Sequence, residues 1–236
     1  MVSEEEGIKK IMGKNKTTQT EMFFVIAIYA VIFYAAWALV ELVVHPALVK
    51  IINSEVTTDI IKEILIKNVL WTLTAILLIK KYKANVRISL EEMFTTKVNW
   101  LKFLPVFILF AVYVVGQKYL FTGSIAINEG VNLAEIIMYL FVGLTEEMVF
   151  RGWLLNAMSF NRKAVVPVMI NAVMFLLIHF PIWIQSGILV SVFTSFGFIS
   201  ILVLSVIFSM SFLRSRSILV PILLHAFWDI LLYVVG

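Results

Sequence analysis

Three groups of ionisable side chains lie in otherwise apolar stretches of this chain, and their types and spacing suit acid–base chemistry. The run NLAEIIMYLFVGLTEEMVFRGWLLNAMSF carries Glu146, Glu147 and Arg151; MINAVMFLLIHFP carries Asn171, Phe175 and His179; ILLHAFWDI carries His225 and Asp229. On a helix Glu147 and Arg151 are four residues apart with the acid first, the better orientation for an ion pair. Glu146 is turned from them by about 100° and has no partner on its own helix. A carboxylate alone in a medium of low dielectric takes up a proton readily, as a general base must. Asn171, Phe175 and His179 recur every four residues, and so do His225 and Asp229, so each set shares one helix face.

The elements that must position these groups are membrane helices. Of 236 residues, 61% are hydrophobic and 14% charged, with a mean hydropathy of +1.00. A soluble domain is nearer half apolar and a quarter charged. The chain contains no cysteine, which excludes disulfides, thiolate metal sites and cysteine nucleophiles. The net charge of +4 is small and its lysines fall between apolar runs, so nucleic acid is not an expected partner.

Residues 1–21 read as a polar cytoplasmic tail and 22–236 as a single transmembrane domain. Apolar runs long enough to span cover about 22–40, 60–79, 99–120, 133–160, two runs within 164–213 broken near Gln185-Ser186-Gly187, and 217–235. The fold expected is all-α: a polytopic integral membrane helical bundle of about seven transmembrane helices. In the second span Lys62, Glu63 and Lys67 must snorkel or face other helices. With the amino terminus in the cytoplasm, fourteen of the nineteen Lys and Arg residues fall in cytoplasmic segments; the outer four include Lys62 and Lys67. The tryptophans fall mostly near span ends, as an aromatic belt would, and His45 beside Pro46 reads as interfacial.

At about 1.5 Å per residue, Glu146 lies about 21 Å along its helix from the cytoplasmic side, His179 about 22 Å, His225 about 12 Å and Asp229 about 18 Å. These overlapping depths allow one buried polar site, expected to be reached from the cytoplasm. A charged side chain at mid-membrane costs roughly 2.5–3.5 kcal/mol on insertion scales, so three within one helix point to function.

Glu146-Glu147-x-x-x-Arg151, Phe175-x-x-x-His179 and His225-x-x-x-Asp229 resemble, in order and placement, the motifs of the CAAX protease and bacteriocin-processing family. This is the group of intramembrane proteases that includes type II CAAX prenyl endopeptidases and bacterial Abi proteins. The likeness covers about 133–235, which it marks as the catalytic core. It implies an intramembrane endopeptidase in which Glu146 activates water and His179 helps to hold it. Glu147 and Arg151 would brace the helix and position substrate, Phe175 would shape the pocket, and His225 with residue 229 would stabilise the oxyanion. An ionised Asp229 cannot donate to an oxyanion; it must be protonated or instead orient His225, and orientation is the expectation.

No cofactor is expected. The alternative is a zinc ion on Glu146, His179 and His225, two histidines and a glutamate being a recognised set. An H-E-x-x-H zinc motif and a pair of membrane aspartates are both missing. The partners implied are a peptide or protein substrate within or at the membrane, and membrane lipid. Prenylated tails, leader peptides and signalling precursors all fit, and a bacterial cell membrane is the expected location. The alternative function is a non-catalytic membrane protein that gives bacteriocin immunity or regulation by binding a partner. A transporter ranks below both, since no inverted repeat is visible.

Overall fold

The computed structural model describes residues 17–235, so most of the expected tail, residues 1–16, lies outside the described residues. Among the described residues all regular structure is helical. Helix α1 spans Gln19–Ile52 and α2 spans 55–81; α3 is the short Leu90–Thr95 and α4 is Leu104–Thr122. Helix α5 covers 133–158, α6 Val165–Gln185, α7 Leu189–Thr194, α8 Gly197–Ser215 and α9 Leu219–Val235. Four of these, α1, α4, α6 and α8, are long and apolar enough to cross a membrane. Helices α2 and α5 are as long but carry ions, and α9 has 17 residues.

Local chemistry sets the ends of the helices. Thr18 and Glu21 form a reciprocal capping box at the start of α1. Asn53 in the left-handed region and Ser54, whose hydroxyl accepts from the Thr57 amide, turn α1 back into α2. Asn132 caps α5 in the same way, accepting from the Glu135 amide at 3.0 Å.

The bundle is apolar outside and ionic inside. Phe23, Phe24, Ile28, Val31 and Ile32 of α1 and Ile108, Leu109 and Val112 of α4 are exposed, as lipid-facing side chains are. Glu41, Lys62, Glu63, Lys67, Glu146, Glu147 and Arg151 are buried. This is an integral membrane protein by the length and composition of its helices.

Several expectations change. The first helix does not stop near Val40 but runs through His45 and Pro46 to Ile52. A wide π-turn at Val40–Val44 absorbs the missing proline N–H, and Glu41 and His45 point inward to partners on α2. His45 is therefore buried, not interfacial. Lys62 and Lys67 face other helices in buried ion pairs, one of the two courses expected of them, so they leave the count of outer-loop charges. Trp37, Trp71 and Trp153 belong to the buried core rather than to an interfacial belt.

Helices α5 and α9 pack closely against each other. Gly143 permits this: a Cβ there would lie 2.9 Å from the Ile222 carbonyl and 3.2 Å from the Ala226 amide. Gly143→Ala is expected to cost about 1–3 kcal/mol by overpacking and to push α9 from α5. Thermal unfolding in detergent checks this, and unchanged stability would show that α9 tolerates a wider spacing.

The helix ends sort into two faces. On one, the Asn85 side chain donates to the Thr17 carbonyl at 2.6 Å, Asn156 exchanges hydrogen bonds with the Ile88 backbone at 2.8 and 2.7 Å, and the Ile218 amide donates to the Met93 carbonyl at 2.9 Å. Arg216 pairs there with Glu92 and holds its carboxyl below the usual range. The pair is half exposed, so it orders the loop more than it stabilises the fold. On the other face Gln185 at the end of α6 lies 3.4 Å from His45, and the Asn128 amide ahead of α5 donates to the Val234 carbonyl of α9 at 2.9 Å.

Candidate active site

Helix α5 presents the centre of the site. Immediately after Glu147 its turns widen into a π-helical stretch, Met148–Leu155, that is wholly buried. The Asn171 amide donates to the Phe150 carbonyl in this stretch at 2.8 Å and its oxygen accepts from Ser209, tying α5, α6 and α8 together. Wide turns of this kind shift the residues on either side relative to a regular helix.

Arg151 is fully enclosed. It donates from Nη1 to Glu147 Oε1 at 2.8 Å and from Nη2 to the Ser205 hydroxyl and carbonyl at 2.7 and 3.0 Å. Its guanidinium lies 4.5 Å from the ring centre of Phe175 and 5.4 Å from that of Phe208. Phe175 thus stacks on the arginine as well as lying 5.3 and 5.7 Å from the rings of His179 and His225.

Glu146, unpartnered on its own helix, is met by a cation from α2: Lys67 Nζ donates to Oε1 at 2.9 Å. Lys67 also pairs with Glu63 at 2.5 Å and sits over the rings of Trp37 and Trp71 at 5.0 and 4.6 Å. The isolated carboxylate expected from sequence is therefore half of a buried pair. Glu63 and Lys67 are four residues apart with the acid first, the same signal as Glu147 and Arg151, and it was legible in the chain. That Lys67 reaches Glu146 was not.

His225 is held on one side by Glu147, its Nδ1 2.9 Å from Oε1. A carboxylate only accepts, so Nδ1 carries the proton. Nε2 faces Glu146 Oε2 at 3.8 Å and Asp229 Oδ2 at 3.5 Å. The orienting hydrogen bond to His225 thus comes from Glu147, while Asp229, the residue expected to supply it, lies farther away on the opposite nitrogen. Phe208, which sequence reasoning did not single out, stacks on the imidazole with centroids 5.0 Å apart.

His179 stands where α6 is interrupted. Pro181 removes the amide that would bond to the Leu177 carbonyl, and the chain turns loosely through Ile178 and His179. Trp37 Nε1 donates to the Ile178 carbonyl at 3.2 Å and fixes the bend. His179 Nδ1 lies 3.0 Å from the Phe175 carbonyl, which can only accept, so Nε2 is left with its lone pair. A cavity of about 210 Å³ is lined by His179, Glu146, Lys67, Glu63, Lys62, Glu41 and Asp59 among apolar neighbours.

The zinc alternative does not fit this arrangement. The ammonium of Lys67 occupies Glu146 Oε1, where it would repel a bound cation. Among the described residues no three His, Asp or Glu side chains converge as a ligand set.

A buried cluster of His225 with Glu146, Glu147 and Asp229 therefore stands beside His179 and a small ionic cavity, an arrangement suited to glutamate- and histidine-assisted hydrolysis. Residues 128–231, which hold all seven side chains singled out from the motifs, match the family model described as type II CAAX prenyl endopeptidase Rce1-like. No curated protein and no solved structure matches the chain.

Proposed function

We propose, starting from a chain that contains a type II CAAX prenyl endopeptidase Rce1-like domain over residues 128–231, that this protein is an intramembrane endopeptidase of the glutamate type. The observation that carries the reading is the pairing of Glu146 with Lys67 at the wall of a cavity that also holds His179. Glu146 is the base: a carboxylate with one oxygen on an ammonium and the other turned toward His225 keeps its charge and orientation. A water between Glu146 and the Nε2 lone pair of His179 gives its proton to Glu146 as its oxygen attacks the peptide carbonyl. The developing oxyanion is met by His225 acting as imidazolium, with its Nδ1–H held by Glu147 and its Nε2–H aimed at the oxyanion. Glu146 then returns the proton to the leaving amine. Asp229 balances charge beside His225, and Phe175 walls the pocket. Lys67 is a positioning residue in this scheme.

Seven spans follow from the same reading: α1, α2, α4, α5, α6, α8 and α9, with 22–236 as one transmembrane domain and the amino terminus cytoplasmic. The exposed apolar faces and inward ions of α2 and α5 support counting them, since ions in spans face the bundle interior. Lys80, Lys81, Lys83, Arg87, Lys97, Lys102, Arg162, Lys163, Arg214 and Arg216 all lie toward one face, which supports placing that face in the cytoplasm. The bacterial cell membrane as location and a membrane-associated or secreted peptide precursor as substrate belong to the proposal.

The test is a comparison of peptide termini in membranes carrying the native protein or Glu146→Gln at matched levels. New termini that vanish with the substitution support an endopeptidase; identical termini overturn it. Lys67→Met is expected to leave Glu63 and Glu146 buried without their ammonium, costing about 3–5 kcal/mol of stability and the activity with it. Lys67→Arg keeps the charge and is expected to retain fold and part of the activity, as read by unfolding in detergent and peptide cleavage.

A further inference from the structure

A cavity of about 730 Å³ lies between the start of α4 and the end of α8, away from the candidate site. Its inner walls are apolar, with Phe103 and Val106 on one side and Ile207 and Met210 on the other. Its mouth is cationic, formed by Lys97 and Lys102 ahead of α4 and by Arg214 in the last turn of α8. Among the described residues no acidic side chain lines this cavity, whereas Arg216, two residues past Arg214, has Glu92. About 10 Å in from the helix ends Phe110 and Phe208 meet, ring centres 6.2 Å apart, and join the two helices.

The mouth carries the marks of a membrane surface. Trp100 and Leu101, 40% and 77% exposed, fall between the two lysines in sequence. A tryptophan beside lysines at the start of a span belongs at headgroup level. Three neighbouring cations without counter-ions repel one another, and an anion among them relieves that repulsion. A free anion fills the mouth alone and leaves the apolar walls bare. A lipid with an anionic headgroup answers both ends, and basic pockets between membrane helices are where such headgroups bind.

We infer that this cavity binds an anionic glycerophospholipid, its phosphate held by Lys97, Lys102 and Arg214 and the upper part of one acyl chain laid between α4 and α8. A zwitterionic headgroup brings a cation of its own to the mouth and is disfavoured there. The lipid comes from whichever leaflet meets this face. Elsewhere on its surface α8 carries Ser205, bonded to Arg151, and Phe208, stacked on His225. The bound lipid therefore clasps the helix that backs the candidate site, and its binding is independent of peptide hydrolysis.

The test is thermal unfolding of protein freed of lipid in a neutral detergent, with phosphatidylglycerol, phosphatidylcholine or inorganic phosphate added. At a hundred times its Kd, phosphatidylglycerol is expected to raise the midpoint by about 5–10 °C, and the other two to leave it nearly unchanged. The triple variant Lys97→Gln, Lys102→Gln and Arg214→Gln is expected to lose most of that rise. Lys80→Gln, Lys81→Gln and Lys83→Gln together remove the same charge from the same face and are expected to keep it. All six side chains are exposed, so neither triple variant disturbs the core. Met210→Trp fills the crevice and is expected to weaken the response with every charge in place. No shift with phosphatidylglycerol, or an equal one with phosphatidylcholine, overturns the site. Equal loss in both triple variants assigns the response to the charge of the whole face and overturns it too. A rise with inorganic phosphate that matches phosphatidylglycerol and survives Met210→Trp marks a free-anion site and overturns the lipid.

Discussion

Glu146→Gln is expected to reduce peptide hydrolysis by about 10²–10⁴-fold, the usual contribution of a positioned general base, while the protein remains folded. The amide keeps an oxygen for Lys67 to donate to, and Lys67 keeps Glu63 at 2.5 Å as its counter-ion. Neither neighbour is stranded, so loss of activity reports chemistry rather than collapse. The measurement is cleavage of a membrane peptide by purified protein, with a thermal unfolding profile taken on the same sample. Activity within a few-fold of native would remove Glu146 from the mechanism. A parallel loss of stability and activity would show that the carboxylate serves the fold.

Arg151→Ala is expected to act the other way round, through the fold first. Arg151 is wholly enclosed, and its removal takes away the partner of Glu147 at 2.8 Å and both contacts to Ser205. A buried carboxylate left without its cation costs about 3–5 kcal/mol. His225 depends on the same Glu147 oxygen, so the imidazole loses its anchor as well. The expected result is low recovery from membranes, an unfolding transition far below native and no cleavage. The double variant Glu147→Ala with Arg151→Ala removes both charges and is expected to recover stability but not activity, because the lost hydrogen bond to His225 is not restored. If Arg151→Ala is stable and active, the braced-histidine arrangement is wrong.

These two expectations depend on different parts of the chain. The Glu147–Arg151 pair is an i, i+4 contact within one helix, so spacing alone defines it. The shared faces of Phe175 with His179 and of His225 with Asp229 are equally local. Composition and run lengths likewise demand a helical membrane protein, since a backbone in hydrocarbon must satisfy its hydrogen bonds internally. The bend at His179 follows from Pro181, also a local cause.

What sequence reasoning missed lies between helices. Lys67 meets Glu146 across 79 residues and Arg151 meets Ser205 across 54. His225 takes its anchor from Glu147, not from Asp229 one turn along its own helix, because Gly143 lets α9 approach α5 closely enough for the cross-helix contact. Glu41 and His45 extend the first helix past Val40 only because α2 offers partners. Local periodicity says which residues share a face, but not which faces meet, since many pairings of apolar helices bury similar area. The sequence by itself determined an all-helical membrane protein with one brace and two candidate histidines. Tertiary structure alone decided which cation holds Glu146 and which acid aims His225, because each depends on the register between helices far apart in the chain.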